Sequence, residues 1–377
     1  MMNFKGRLAR SIAALLFMQL QCAFARAADA LHFDATARYL AGLAPTDETR
    51  FSQFFRESSW ERHRAALDSS FGRLETETLA RLRKWSVRVM PRKPPTLLYP
   101  FSGPDILFAA AMHPEARTYL MVGLEPIGRL PSIGRYSRSQ RATALSEIRH
   151  SLRAILEYSF FRTKDMKEEL ASNTVSGVMP MLFVFLARSG LLIKKVELVV
   201  LGADGGIAPA GLGQKGGVPG VRIDFERRGE PRPEGAQTLY YLQADLSNNG
   251  LRRNGIQAFA SSHGAALAFV KSASYLMHLN AFTGIRNLLV EQAQVIVQDD
   301  SGIPLRHIPR QIFEIKPYGA YLGPIDKFPD NHQRDMQQLF SGGRAVPIDF
   351  GIGYRWRPGQ SNLIVATRRP VLADAEE

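Results

Sequence analysis

Residues 96–126 read TLLYPFSGPDILFAAAMHPEARTYLMVGLEP, and this stretch decides the fold class. Thr96 to Phe101 is a short apolar run with the length of a buried strand. Ser102-Gly103-Pro104-Asp105 breaks it and opens a helical stretch through Met112. Thr118 to Leu124 is a second apolar run, closed by Glu125-Pro126. Strand, helix and strand joined by short connections make a βαβ unit with parallel strands. Ligands of open parallel sheets bind beyond the carboxyl ends of the strands. If the two strands are neighbours, a right-handed crossover puts Ser102, Asp105 and Glu125 at that one edge.

Upstream, residues 31–90 read as helical. Ser58 and Glu61 have capping-box spacing, and Leu67, Phe71, Leu74, Thr78, Leu82, Trp85 and Val89 follow in steps of three and four, the stripe of a long helix with one packed face. Pro91, Pro94 and Pro95 end it. Residues 28–92 are therefore expected to form an N-terminal helical segment, and residues 93–377 a mixed α/β domain. Downstream, helices are expected at 139–160 and 176–189 and a strand at Lys195 to Leu201. Val221 to Arg227 and Thr238 to Asp245 read as an antiparallel pair. Gly264 to Glu291 reads as mostly helical, leading into the strand Ala293 to Gln298. Val346, Ile348, Phe350, Ile352, Tyr354 and Trp356 occupy alternate positions before Arg357-Pro358-Gly359-Gln360 and the run Asn362 to Thr367, a hairpin pattern. The expected class is α/β: a mixed parallel and antiparallel sheet flanked by helices, with an N-terminal helical layer.

The first 27 residues carry an address. Lys5, Arg7 and Arg10 precede an apolar run from Ser11 to Leu20, and Ala25-Arg26-Ala27 offers a cleavage site, the order of a secretory signal. Residues 1–27 are expected to be a signal peptide, and the mature protein periplasmic or secreted. Cys22, the single cysteine, would leave with the leader. That excludes disulfides, a cysteine nucleophile and thiolate metal sites from the mature chain. The formal charge of +13 falls to +9 on loss of Lys5, Arg7, Arg10 and Arg26, which suits an anionic envelope component as partner. An arginine-rich composition explains the same charge. The densest basic run is Arg129, Arg135, Arg138, Arg141, Arg149 and Arg153. It has no aromatic interleaving, and no nucleic-acid partner is expected. Val175 to Ile193 is mostly apolar but is interrupted by Pro180 and Arg188, so it reads as a buried helix, with no transmembrane span expected after the leader.

Three constellations could carry chemistry. Ser102 and Asp105 face a possible cleft, although Ser, Pro and Asp also open a helix for purely structural reasons. Glu125 closes a buried strand and needs a partner or a solvated pocket. Gln298-Asp299-Asp300-Ser301-Gly302 follows an apolar strand, where adjacent carboxylates could hold a divalent metal or form a polar turn. In the stretch Phe269 to His278, read as a helix, Lys271, Ser274, Tyr275 and His278 fall on one face at i, i+3, i+4 and i+7. His278 is then a candidate base, but a Ser274–His278 nucleophile pair is rejected for want of a strained turn presenting the serine. Gly211 to Gly216 matches G-x-G-x-x-G but lacks the strand before and the helix after it, and reads as a loop that could cover a site.

The strings YPFSGPD (Tyr99 to Asp105), GLEP (Gly123 to Pro126) and QDDSGIP (Gln298 to Pro304) resemble those of a family of exported bacterial proteins to which no activity is attached. The resemblance implies one integrated domain and transfers no catalytic role. Two functions are compatible with the residues. The first is a periplasmic hydrolase acting on a polar or anionic envelope substrate. Asp105, Glu125, His278 and Asp300 would be its catalytic groups, Ser102, Lys271, Tyr275 and Arg306 its substrate-binding groups, and Asp299 and Asp300 the ligands of a divalent metal. The second is a non-catalytic periplasmic binding or envelope-assembly protein.

Overall fold

The computed structural model describes residues 32–46, 51–158, 160, 176–211, 216–229 and 236–370. The expected signal peptide, and residues 212–215 of the glycine-rich loop, lie outside the described residues. The chain forms a ten-stranded mixed sheet covered by helices, so the α/β expectation holds. Its strands are β1 (Thr96–Pro100), β2 (Thr118–Gly123), β3 (Leu191–Leu201), β4 (Ile207–Pro209), β5 (Val218–Arg227), β6 (Gln237–Gln243), β7 (Ala266–Val270), β8 (Ala293–Gln298), β9 (Phe313–Gly319) and β10 (Asn362–Arg368). They lie in the order β4-β3-β5-β6-β2-β1-β7-β8-β10-β9. The five central strands, β6-β2-β1-β7-β8, are mutually parallel. Antiparallel wings flank them on both sides.

Side-chain alternation divides the central strands between two cores. Leu97, Tyr99, Tyr119, Met121, Leu267, Phe269, Val295 and Val297 face one buried cluster, while Leu98, Leu120, Val122, Ala268, Val270 and Ile296 face the other. Strands buried on both faces need helices on both. The first core is closed by the helices Ser58–Leu74, Ala80–Val89, Ile106–Met112, Arg138–Tyr158 and Met179–Arg188, the second by Ile256–Ser262, Thr283–Gln292 and Arg334–Ser341. The N-terminal helices share the sheet's core, since Trp60, Leu67, Leu82 and Trp85 belong to the same cluster as Tyr99 and Phe183. No helix among the described residues is long and apolar enough to cross a membrane. Met179–Arg188, from the apolar stretch 175–193, is instead buried along nearly its whole length.

Three expectations need correction, and one strand, β9, was not foreseen. The capping box at Ser58 and Glu61 does not form. Glu57 is the N-cap residue, without a side-chain cap, and its carboxylate instead pairs with Arg141. The C-terminal hairpin is absent, because 346–356 is not a strand. Ile348, Phe350 and Ile352 are buried at alternate positions, but a Cβ on Gly351 would meet the Trp356 carbonyl oxygen at 1.5 Å, so the segment folds tightly on itself. β10 pairs with β8 and β9. β9 itself was obscured by Pro317, a residue confined to edge strands such as this one. Finally, the expected helical stretch 264–291 begins as strand β7.

Candidate functional site at the switch point of the sheet

In chain order, the parallel strands sit in space as third, second, first, fourth, fifth. This is the doubly wound arrangement, in which connections leave β1 for one half of the sheet and β7 begins the other. The crevice at the carboxyl ends beside that reversal is the ligand position in such sheets. Asp105, Glu125, Lys271, Tyr275, Asp299 and Asp300 all follow the carboxyl ends of these strands, as Ser102 does.

The β1 end is built around one buried ion pair. Lys271, the residue after β7, places Nζ 2.9 Å from Asp105 Oδ2, with side chains 1% and 2% exposed. Tyr99 donates to the same carboxylate oxygen at 3.0 Å. Asp105 Oδ1 accepts from Phe108 N at 3.1 Å and so caps the helix Ile106–Met112. Burial pushes the Asp105 carboxyl above its ordinary pKa, and Lys271 pulls it back. Lys271 also lies over the Phe108 ring at 4.0 Å. Ser102 turns inward and donates to the Gly103 and Val122 carbonyls.

The stretch after β7 is not a helix. Ser272, Ser274 and Tyr275 have φ of 53°, 53° and 55°, left-handed values that no L-residue sustains in a right-handed helix. Leu276–His278 is a single 3-10 turn. Lys271, Ser274, Tyr275 and His278 therefore do not share a helix face, and Ser274 Oγ pairs with Tyr354 at 2.9 Å. What holds the strained loop is the QDDSGIP turn. Ser272 N donates to Asp299 Oδ2 at 2.9 Å, Ala273 N to Ser301 Oγ at 2.7 Å, and Tyr275 OH to Asp300 Oδ2 at 2.6 Å. Ser274 N donates to Tyr354 OH at 3.1 Å.

Asp299 Oδ1 also accepts from Ser301 N and Oγ, and Asp300 Oδ1 accepts from Asn362 Nδ2. Both carboxylates thus act as acceptors that shape a loop. Burial and the neighbouring Asp300 charge raise Asp299 to about 6. Asp300 is raised by burial too. Among the described residues, no three His, Cys, Asp or Glu side chains are grouped to hold a metal ion.

Between β1, β2, β6 and the strained loop lies a cleft of about 180 Å³, lined by Phe101, Leu124, Glu125, Asp245, Leu246, Ser272, Ser274 and Phe282 among others. The Phe101 and Phe282 rings meet edge to face at 5.8 Å. Phe101 is itself left-handed, with φ 56°. Glu125 is tucked over Gly123, where a Cβ would lie 2.6 Å from Glu125 Oε2 and 2.7 Å from the Tyr241 hydroxyl. Tyr241 OH donates to the Glu125 main-chain oxygen at 2.9 Å and lies 3.3 Å from Oε2. Oε1 carries no donor among the described residues. Asp245 accepts from Ser247 N and Oγ at 2.8 and 2.7 Å. Two roomier clefts, about 300 and 530 Å³, lie elsewhere, one beside Glu75 and Arg227 and one along β9. Neither is at the strand ends, so the smaller cleft is the better candidate.

No protein-family model matches the chain, and no curated protein is detectably similar to it in sequence. The site must therefore be read from its own geometry.

His278 and Arg306 sit at the same edge but not on this cleft. Arg306 lies in the turn Leu305–His307 and is exposed. Sequence reasoning missed Phe101, Asp245, Ser272, Phe282 and Tyr354. Only Asp245 had a visible signal, as a carboxylate closing an apolar strand in the manner of Glu125. The basic run is partly internal. Arg141 pairs with Glu57, Arg149 reaches the His63 ring at 3.2 Å, and Arg153 pairs with Glu157 within its own helix.

Proposed function

We propose that this protein binds a nucleoside-bearing ligand at the switch point, either a free nucleoside or an adenosyl cofactor, and not a dinucleotide. The observation that carries the reading is Glu125: a carboxylate at the end of the second strand of a third-second-first-fourth-fifth sheet, lining a cleft with apolar walls and a second carboxylate, Asp245. An acid at that position accepts from ribose hydroxyls in doubly wound folds. Asp245 supplies an acceptor for an exocyclic amine, and Phe101, Leu246 and Phe282 supply apolar walls for a planar base.

Two features argue against a diphosphate. The first helix after β1 has its N-terminus capped by the Asp105 carboxylate, the place a pyrophosphate would need. A cleft of about 180 Å³ is also below the usual size of sites for whole drug-sized ligands. It suits one ring system and its sugar.

A hydrolase driven by clustered carboxylates asks those groups to exchange protons, whereas Asp105, Asp299 and Asp300 are each held by several donors. The geometry thus favours the binding-protein alternative. Export to the periplasm or the cell exterior remains part of the proposal on the strength of the leader, and there the ligand is a free nucleoside.

Calorimetric titration with adenosine, S-adenosylmethionine and NAD tests this. Adenosine or S-adenosylmethionine should saturate one site, and NAD should not bind more tightly than either. Glu125→Gln should weaken binding about ten-fold or more, the worth of a charge-assisted hydrogen bond of about 1.5–3 kcal/mol. Absence of saturable binding by both nucleosides, or indifference to Glu125→Gln, refutes it.

A further inference from the structure

The two edges of the sheet are finished differently. At one end of the strand order β4 is three residues long, and so short an edge strand gives a foreign chain little to pair with. At the other end β9 runs for seven residues, and its outer side is only partly covered. Val346 N donates to the Pro317 carbonyl at 3.1 Å and Gly319 N to the Val346 carbonyl at 2.8 Å, while on the β10 side Arg369 N donates to the Ile312 carbonyl at 2.8 Å. These bonds fix the alternation: main-chain groups of even-numbered residues in β9 face β10, and those of odd-numbered residues face outward. Phe313 N is taken by the Pro309 carbonyl at 2.9 Å. The Phe313 carbonyl and both main-chain groups of Ile315 face outward and have no partner among the described residues. Beside them lies a slot of about 530 Å³. Ile315, Leu339 and Val346 give it apolar surface, and Arg310, Arg344 and Arg369 line it with exposed side chains. None of the three arginines pairs with an acid among the described residues. Arg369 Nε lies 3.4 Å from the Arg310 carbonyl, so two of them stand together. The one acid in the slot, Glu314, is held by Lys316 at 3.0 Å.

We propose that this slot takes an extended, acidic segment of another protein, which adds to the sheet as an eleventh strand beside β9. The guest main chain satisfies the Phe313 carbonyl and the Ile315 N–H and carbonyl, and pockets for its alternate side chains give the specificity. Its apolar side chains rest on Ile315, Leu339 and Val346, and its carboxylates meet Arg310, Arg344 and Arg369. Lys316 and Pro317 are the usual guards of an edge strand, but three further arginines beside open hydrogen-bonding groups do more than repel: they select the charge of what pairs there. A second copy pairing through its own β9 would bring like charges together. A polyanion without peptide groups would use the arginines and leave Ile315 unpaired. The site does not depend on the nucleoside reading, since β9 is the outermost strand and none of these residues lines that cleft.

The test is fluorescence anisotropy of a fluorescein-labelled nonapeptide alternating glutamate and valine, titrated with the full chain. Saturable binding is expected, and a lysine–valine peptide of the same length should not bind. Arg310 and Arg344 are exposed, so Arg310→Glu and Arg344→Glu should fold normally, and each should weaken the glutamate peptide by about ten-fold or more. Glu125→Gln should leave its affinity unchanged, which separates failure here from failure at the cleft. A glutamate–valine peptide methylated on every main-chain nitrogen keeps all its carboxylates but has no N–H to donate. Binding about ten-fold weaker or worse supports the added strand, and equal binding overturns it in favour of a plain anion patch. Sedimentation velocity of the chain alone covers the remaining occupant: a dimer that the glutamate peptide dissociates gives the edge to a second copy and overturns the proposal. So does the absence of saturable binding by the glutamate peptide.

Discussion

At the scale of single residues, the Lys271–Asp105 pair joins two side chains that the sequence placed at the strand ends. Both were expected at the functional edge, and both are there. Their side chains are almost wholly buried and turned toward each other. A buried ion pair is weak evidence of stabilisation as such, but breaking one by removing a single partner strands the other charge. Lys271→Met should therefore lower unfolding stability by about 3–5 kcal/mol, measured by urea denaturation at pH 7. Adding Asp105→Leu to it should recover much of that loss, although the Phe108 cap is sacrificed. If Lys271→Met cost under about 1 kcal/mol, Asp105 would have to be neutral in the folded protein, and the pair would be better regarded as one hydrogen bond.

At the scale of elements, the loop after β7 carries the most strain. Non-glycine residues in the left-handed region cost on the order of 1–3 kcal/mol each. The three here persist because Asp299, Asp300, Ser301 and Tyr354 fix their amides and hydroxyls. Ser272 separates strain from contact, since its Oγ is buried without a partner. Ser272→Gly keeps the Asp299 bond, loses no side-chain hydrogen bond and should stabilise the protein by about 1 kcal/mol in urea melts. Gly353→Ala should do the reverse, because φ is +77° and the added Cβ would lie 2.3 Å from Asp299 Oδ2. A destabilised Ser272→Gly would mean that the serine side chain contributes a contact the geometry does not show.

This loop also marks where the sequence stopped being legible. β1, β2 and β8 announced themselves as apolar runs bounded by Pro, Gly or Asp, because strands buried on both faces have little choice of residue. The polar spacing of Lys271, Ser274, Tyr275 and His278 matches a helix by coincidence. The true conformation is imposed by side chains 25 to 80 residues further along the chain. No local pattern encodes that. The alternation of Ile348, Phe350 and Ile352 misled in the same way, since it reports burial against Trp85 and its neighbours and not ladder pairing.

At the scale of the whole molecule, the question is what fastens the N-terminal helices to the layer over the sheet. His63 answers part of it. It is fully buried in the helix Ser58–Leu74, with Nε2 2.8 Å from the Leu40 carbonyl and Nδ1 3.1 Å from that of Leu145. Arg149 approaches Nδ1 at 3.2 Å, so the neutral ring donates from Nε2 to Leu40 and accepts at Nδ1 from Arg149. The Leu145 carbonyl is a close neighbour without a hydrogen bond in that tautomer. One imidazole thus joins three helical segments. Burial, seconded by the Arg149 charge, pushes its pKa down to about 4. The unfolded chain binds this proton near pH 6.5 and the folded chain does not. Its contribution is therefore complete above about pH 6.5 and is lost as pH falls toward 4. Asp299, raised to about 6, works in the opposite sense over nearly the same window, so the acid limb of the wild-type protein alone will not isolate His63. His63→Gln will, because glutamine can donate to Leu40 and accept from Arg149 but does not titrate. Between pH 7 and pH 4.5 the stability advantage of wild type over His63→Gln should shrink by about 2–3 kcal/mol, read from urea melts at the two pH values. A gap that stayed constant would mean that His63 takes up its proton over the same pH range in the folded and the unfolded chain. The contact between the helical layers would then have to be an open, hydrated one.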